Sequence, residues 1–195
     1  MSNKVGGIEL TPEFGGLELI NKPATSVPQE LATAFGEINE GLLGATYTPL
    51  WVVGKQVVNG VNYYVICKEV RATKETNTLI VNLVIHIPSV KSDGTKPKAR
   101  IDKIIEEATL DADIARIFQS AMTITGVGYT PLAYIGKQIV NGTNHFFICQ
   151  AKTIYPGSEP FAAFVGIHTT RDNHSSLLFV KPLNVEELVG YAFTW

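Results

Sequence analysis

The sequence predicts an α+β chain of two tandem domains, each one helix packed on a four- to five-stranded antiparallel sheet. Three observations predict it. A block of residues recurs at a constant offset, a helical apolar stripe opens each copy, and Asn-Gly pairs join β-rich runs behind each stripe.

The repeat comes first. Tyr47-Thr48-Pro49-Leu50 returns as Tyr129-Thr130-Pro131-Leu132, Gly54-Lys55-Gln56 as Gly136-Lys137-Gln138, and Val58-Asn59-Gly60 as Val140-Asn141-Gly142. Asn62 matches Asn144 and Cys67 matches Cys149, and every pair lies 82 residues apart. A gapless offset of that size means two domain-sized copies rather than a solenoid. The boundary is expected near residues 106–110, giving a first domain over 1–107 and a second over 108–195.

Each copy reads helix first. Val27, Leu31, Phe35, Ile38 and Leu42 recur every three to four residues and form one apolar face. Ser26 is expected to cap that helix, with Pro28 in its first turn and Gly44 at its end. In the second copy Leu110, Ile114, Ile117, Ala121 and Ile124 trace the stripe. Asp111 or Asp113 caps it and Gly126 ends it.

Strands follow. Residues 50–58 and 61–70 are rich in Val, Ile and Tyr and flank Asn59-Gly60. Asn-Gly between β-formers predicts a type I′ hairpin, with positive φ at both central residues. A third strand is expected over about 77–87 and a fourth over about 99–105, separated by a loop with Asp93-Gly94 and Pro97. The second copy has its hairpin at Asn141-Gly142 and later strands near 161–169 and 175–181. One sheet face should cover the helix, and the other should face water or the sister domain.

Composition limits the function classes. Of 195 residues 45% are apolar and 17% charged, so the chain can build real cores. A net charge of −2 gives no reason to expect nucleic acid or an anionic membrane as partner. Lys91, Lys96, Lys98, Arg100 and Lys103 read as a solvated loop and strand edge. No run approaches the roughly 20 apolar residues of a membrane span. No signal-like apolar core follows Met1, and two cysteines cannot form a disulfide framework, so the expected setting is the reducing cytoplasm. Asn141-Gly142-Thr143 and Asn173-His174-Ser175 fit a glycosylation pattern that carries no weight without secretion.

No catalytic set stands out. Cys67 and Cys149 read as small buried hydrophobes. His86, His145, His168 and His174 lack metal-ligand spacing. Gly126-Val127-Gly128 is a helix exit rather than a phosphate loop, and no Gly-x-Ser-x-Gly turn occurs. No enzyme activity, cofactor or metal is expected. Tyr191, Phe193 and Trp195 form an aromatic tail, read as an extra strand on the sheet or an end docked between the domains, with a partner-binding patch as the alternative.

Two motifs then carry a family resemblance. Gly15-Gly16-Leu17, Lys22-Pro23-Ala24-Thr25 and Gln29-Glu30 resemble the N-terminus of stefins, the cytoplasmic members of the cystatin superfamily. Lys55 to Val65 resembles the cystatin first hairpin, with its Gln-x-Val-x-Gly signature. The resemblance covers 14–105, and over 110–181 it rests on Gln138-Ile139-Val140-Asn141-Gly142 and on the repeat. It implies two tandem cystatin-like domains and reversible, non-covalent inhibition of papain-like cysteine peptidases. A wedge of glycine trunk and two hairpin tips would occlude the active-site cleft. Carried over, the trunk is Gly15 and Gly16 and the first hairpin is Gln56, Val57, Val58, Asn59 and Gly60. In the second copy the hairpin is Gln138, Ile139, Val140, Asn141 and Gly142. The second hairpin of the first copy would fall within Pro88 to Lys98. Asn59 and Asn141 depart from the usual Ala, and the second copy has no glycine trunk before its helix. The rival reading is a non-inhibitory interaction or assembly module on the same scaffold. Hairpin exchange into a homodimer is also open to such a fold.

Overall fold

The computed structural model describes residues 4–5, 8–9, 17–26, 28–72 and 77–183. In chain order its elements are β1 (Lys4–Val5), β2 (Ile8–Glu9), β3 (Leu17–Pro23), α1 (Gln29–Gly41), β4 (Ala45–Val58), β5 (Gly60–Arg71), β6 (Asn77–Pro88), β7 (Arg100–Ile105), α2 (Ala112–Ala121), β8 (Val127–Val140), β9 (Gly142–Thr153), β10 (Phe161–Thr169) and β11 (Ser175–Pro182). The chain divides into two compact units. One is Pro12–Glu106, and the other joins Met1–Thr11 to Glu107–Trp195. Val27 of the expected stripe and the tail residues Tyr191, Phe193 and Trp195 lie outside the described residues.

In Pro12–Glu106 the strands pair antiparallel in the order β3-β4-β5-β6-β7. Leu31, Ala34, Phe35 and Ile38 of α1 are buried together with Val52, Tyr63, Val65, Cys67, Leu83 and Ile85. Burying a side chain of this size contributes about 1.5–3 kcal/mol, so the stripe accounts for the docking of the helix. The helix starts without a side-chain cap. Ser26 closes a separate 3₁₀ turn, Ala24–Ser26, and sits too far back to serve. Pro28 takes the capping position, and its carbonyl accepts from the N–H groups of Leu31 and Ala32 at 3.0 and 3.2 Å. The helix also ends at Gly41, ahead of Gly44. Trp51, Val53, Ile66, Ile80 and Val84, at alternate positions to the residues that meet α1, are buried as well. The strands are therefore apolar on both faces rather than alternating.

In the other unit the order is β1-β2-β8-β9-β10-β11, again antiparallel. Asp111 caps α2, its Oδ1 accepting the Ile114 N–H at 2.8 Å, which settles the choice between Asp111 and Asp113. Ile114, Phe118 and Ala121 pack with Phe147, Cys149, Val165 and Ile167. Phe118 meets Phe147 edge-on at 5.0 Å between ring centroids. The helix ends at Ala121, five residues before Gly126.

This architecture corrects the expected fold class. Strand dominates: β4 and β8 run 14 residues and β5, β6 and β9 run 12, whereas α1 has 13 and α2 has 10. The strands lengthen because Ala45–Pro49 and Val127–Pro131 pair fully with β5 and β9 instead of serving as loops. One sheet has six strands and draws two of them from residues 4–9. The described chain is a mainly antiparallel β-protein with two sheets and two helices. It is not the tandem cystatin-like α+β fold of one-helix domains on four- to five-stranded sheets. Among the described residues no helix is long and apolar enough to cross a membrane.

Candidate functional site

The candidate site of Pro12–Glu106 lies where β4 turns into β5. Val58 pairs with Gly60 around Asn59, and Gly60 pairs in turn with Pro88 at the end of β6. The loop from Ser89 to Ala99 therefore leaves the sheet beside the hairpin tip. β3 enters at this same end, since Leu17 is opposite Gln56 and Glu18 opposite Lys55. Gly15 and Gly16 lie outside the described residues.

The tip is apolar and open. Val57 is 74% exposed, Val58 43% and Val90, in the adjoining loop, 61%. Between tip and loop runs a groove of about 780 Å³, lined by Val58, Asn59, His86, Pro88, Val90 and Arg100 among others. The loop is ordered by its own hydrogen bonds: Gly94 N–H to Lys91 O at 2.9 Å, Lys91 N–H to Thr95 O at 2.9 Å, and Thr95 N–H to the Asp93 carboxylate at 2.8 Å. The Thr95 bonds hold the Asp93 carboxyl below the ordinary carboxylate range. Lys91, Lys96, Lys98, Arg100 and Lys103 are all exposed.

The turn departs from the type I′ expectation. Gly60 has φ +113° and Gly142 +109°, but neither Asn59 nor Asn141 adopts positive φ. Asn59 closes the turn with ordinary backbone, and glycine alone takes the special conformation. A Cβ on Gly60 would collide with the Ile87 carbonyl oxygen and lie 2.9 Å from Pro88 Cα. One on Gly142 would collide with the Thr169 carbonyl oxygen and lie 2.8 Å from His168 Cε1. The signature glycine is thus required by the close approach of hairpin and neighbouring strand.

The signature glutamine also has internal partners. Gln56 Oε1 accepts from Tyr64 Oη at 3.3 Å, and Gln138 Oε1 accepts from Asn144 Nδ2 at 3.2 Å. Behind them, His86 Nδ1–H donates to Asn62 Oδ1 at 2.7 Å and His168 Nδ1–H to Asn144 Oδ1 at 2.8 Å. His86 and His168 are themselves 82 residues apart, a repeat signal that a search for metal spacing passes over. These polar bridges tie three strands together beneath each tip and stiffen it.

In the second unit Ile139 is 69% exposed and Val140 42%, so the apolar tip recurs. The adjoining turn is shorter, with Thr170 N–H donating to His174 O at 2.9 Å and Asn173 at φ +64°. Beside the tip His145 is buried, and Tyr134 Oη lies 2.9 Å from its Nδ1. Burial, with the nearby Lys137 charge, pushes its pKa down to about 4.

One part of this unit escaped the sequence reading. No trunk precedes α2, yet the β8 edge is occupied: Ile8 pairs with Gln138 and Glu9 with Lys137. These are the 82-residue equivalents of Gln56 and Lys55, which pair with Leu17 and Glu18. The signal was present as a second, shorter repeat, for Gly6-Gly7-Ile8-Glu9-Leu10 recurs as Gly15-Gly16-Leu17-Glu18-Leu19.

Cys67 and Cys149 are free and buried, and burial pushes both thiols up in pKa. Neither is placed to act as a nucleophile. Among the described residues no group of three or more His, Cys, Asp or Glu side chains is arranged to hold a metal ion. The arrangement suits insertion into a partner's cleft: a narrow, stiff, apolar end with an adjoining loop. Comparison with known families and with curated proteins finds no family model and no relative that matches the chain.

Proposed function

We propose that the chain reversibly inhibits papain-like cysteine peptidases by inserting the hairpin end of Pro12–Glu106 into their active-site cleft, without covalent chemistry. The observation that carries this reading is the exposed pair Val57 and Val58 at the same sheet end where β3 begins opposite Gln56. The likeness of Gly15 to Leu17 and of Lys55 to Val65 to stefin segments supports it. An end stiffened by polar bridges loses little conformational entropy on docking, which lowers one of the costs set against burial of the valines.

One observation favours a second reading, an interaction module without inhibition. The signature glutamine and glycine are both used internally, so their identity between the copies needs no partner to explain it. Papain activity titrated with the intact chain separates the two. Loss of activity that follows a reversible binding curve is expected. Full activity in the presence of excess folded chain would remove the inhibitor reading and leave the interaction module.

A further inference from the structure

The chain carries two copies of Gly-Gly-(Ile/Leu)-Glu-Leu, at 6–10 and 15–19, and two equivalent edge sites, Lys55-Gln56 on β4 and Lys137-Gln138 on β8. The Ile8-Glu9 and Leu17-Glu18 pairs of the two copies each meet one edge in the same antiparallel register, with the apolar residue opposite glutamine and the glutamate opposite lysine. In Pro12–Glu106 that register produces an ion pair, Glu18 Oε2 to Lys55 Nζ at 3.3 Å. We propose that Ile8-Glu9, the paired centre of the first Gly-Gly-Ile-Glu-Leu copy, is a dedicated docking strand for the Lys137-Gln138 edge, donated from within the same chain and recognised through the register that sets position 9 opposite Lys137. The site is one of strand addition, where backbone pairing supplies attachment and a cross-strand charge pair supplies register. A strand with two paired residues is weak on its own. It is held because the covalent tether gives it an effective concentration on the order of millimolar. The edge it covers would otherwise present unpaired backbone groups beside an exposed Ile139.

Amide exchange in the full chain, resolved by NMR, tests it. The readout is the set of β8 amides around Lys137 that point away from β9, with Ile148 and Val165 amides reporting that the unit stays folded. Glu9→Lys and Lys137→Glu each place like charges opposite one another, and each should speed exchange at the outer amides about fivefold or more. Combining Glu9→Lys with Lys137→Glu should restore slow exchange. Ile8→Leu, which converts one copy of the motif towards the other, should leave exchange unchanged. Rates unmoved by either single charge reversal, or a double variant as fast as the singles, would overturn the proposal. Protection that grows with protein concentration would overturn donation within one chain and point to a second copy as donor.

Discussion

Replacing Gly60 by alanine should unfold the first unit far more readily than the same change at Gly94. Both glycines have positive φ, +113° and +82°. An alanine in left-handed backbone costs about 1–2 kcal/mol, offset by up to about 1 kcal/mol because it restricts the unfolded chain. At Gly94 nothing lies within 4 Å of the added carbon, so the net cost should be about 1 kcal/mol or less. At Gly60 the carbon meets backbone atoms of Ile87 and Pro88, which the β5–β6 register holds in place. Moving them breaks ladder hydrogen bonds and adds about 2 kcal/mol, for a total of about 3 kcal/mol. Urea unfolding followed by Trp51 fluorescence, in a Trp195→Phe background, reads the difference because Trp51 is 3% exposed. Equal midpoints for Gly60→Ala and Gly94→Ala would refute the steric argument and return the signature glycine to a partner-binding role.

Other consequences can be measured directly. His145 titrates near 4 in the folded chain against about 6.5 when unfolded, so its stabilisation is complete above pH 6.5 and is lost as pH falls towards 4. Discounted for partial solvation, the loss should be about 1–2 kcal/mol, and subtracting the pH profile of His145→Gln from that of the wild type should reveal it. Identical profiles would show that folding does not lower the pKa of the ring. Cys67 and Cys149 should resist Ellman's reagent at pH 8 in the native chain and react once urea unfolds it; fast native labelling would contradict their burial. Asp111→Ala should lower stability by about 1 kcal/mol through loss of the α2 cap, seen as a fall in the urea midpoint, whereas Asp113→Ala should leave it nearly unchanged.

Much of the local structure was legible because its signals are strong and short-range. Asn59-Gly60 and Asn141-Gly142 marked both hairpins, and the apolar spacing of Leu31, Phe35 and Ile38 marked the buried face of α1. The Asp111 cap was among the readings because its chemistry is local. What failed depended on competition or distance. Pro28 displaced Ser26 from the cap, and Pro49 and Pro131, which would ordinarily break a strand, sit where the register shifts, so Ala45–Pro49 and Val127–Pro131 pair on through them. The turn type was misread because Asn-Gly permits a type I′ turn without compelling one. β1 and β2 are two residues each, too short for any periodicity, and only the repeated pentapeptide announced β2. The apolar tip was legible as residue types, but its exposure and the polar bridges beneath it belong to tertiary pairing.

The central claim is that the apolar end of Pro12–Glu106 is the surface that enters a peptidase cleft. It is tested most directly by affinity for papain whose catalytic thiol has been blocked, measured for wild type, Val57→Ser/Val58→Ser and Ile139→Ser/Val140→Ser. Given the exposures of Val57 and Val58, their burial contributes about 2 kcal/mol, so the first pair of changes should weaken binding roughly thirtyfold and the second pair far less. Tight binding that survives the loss of Val57 and Val58 would contradict the account.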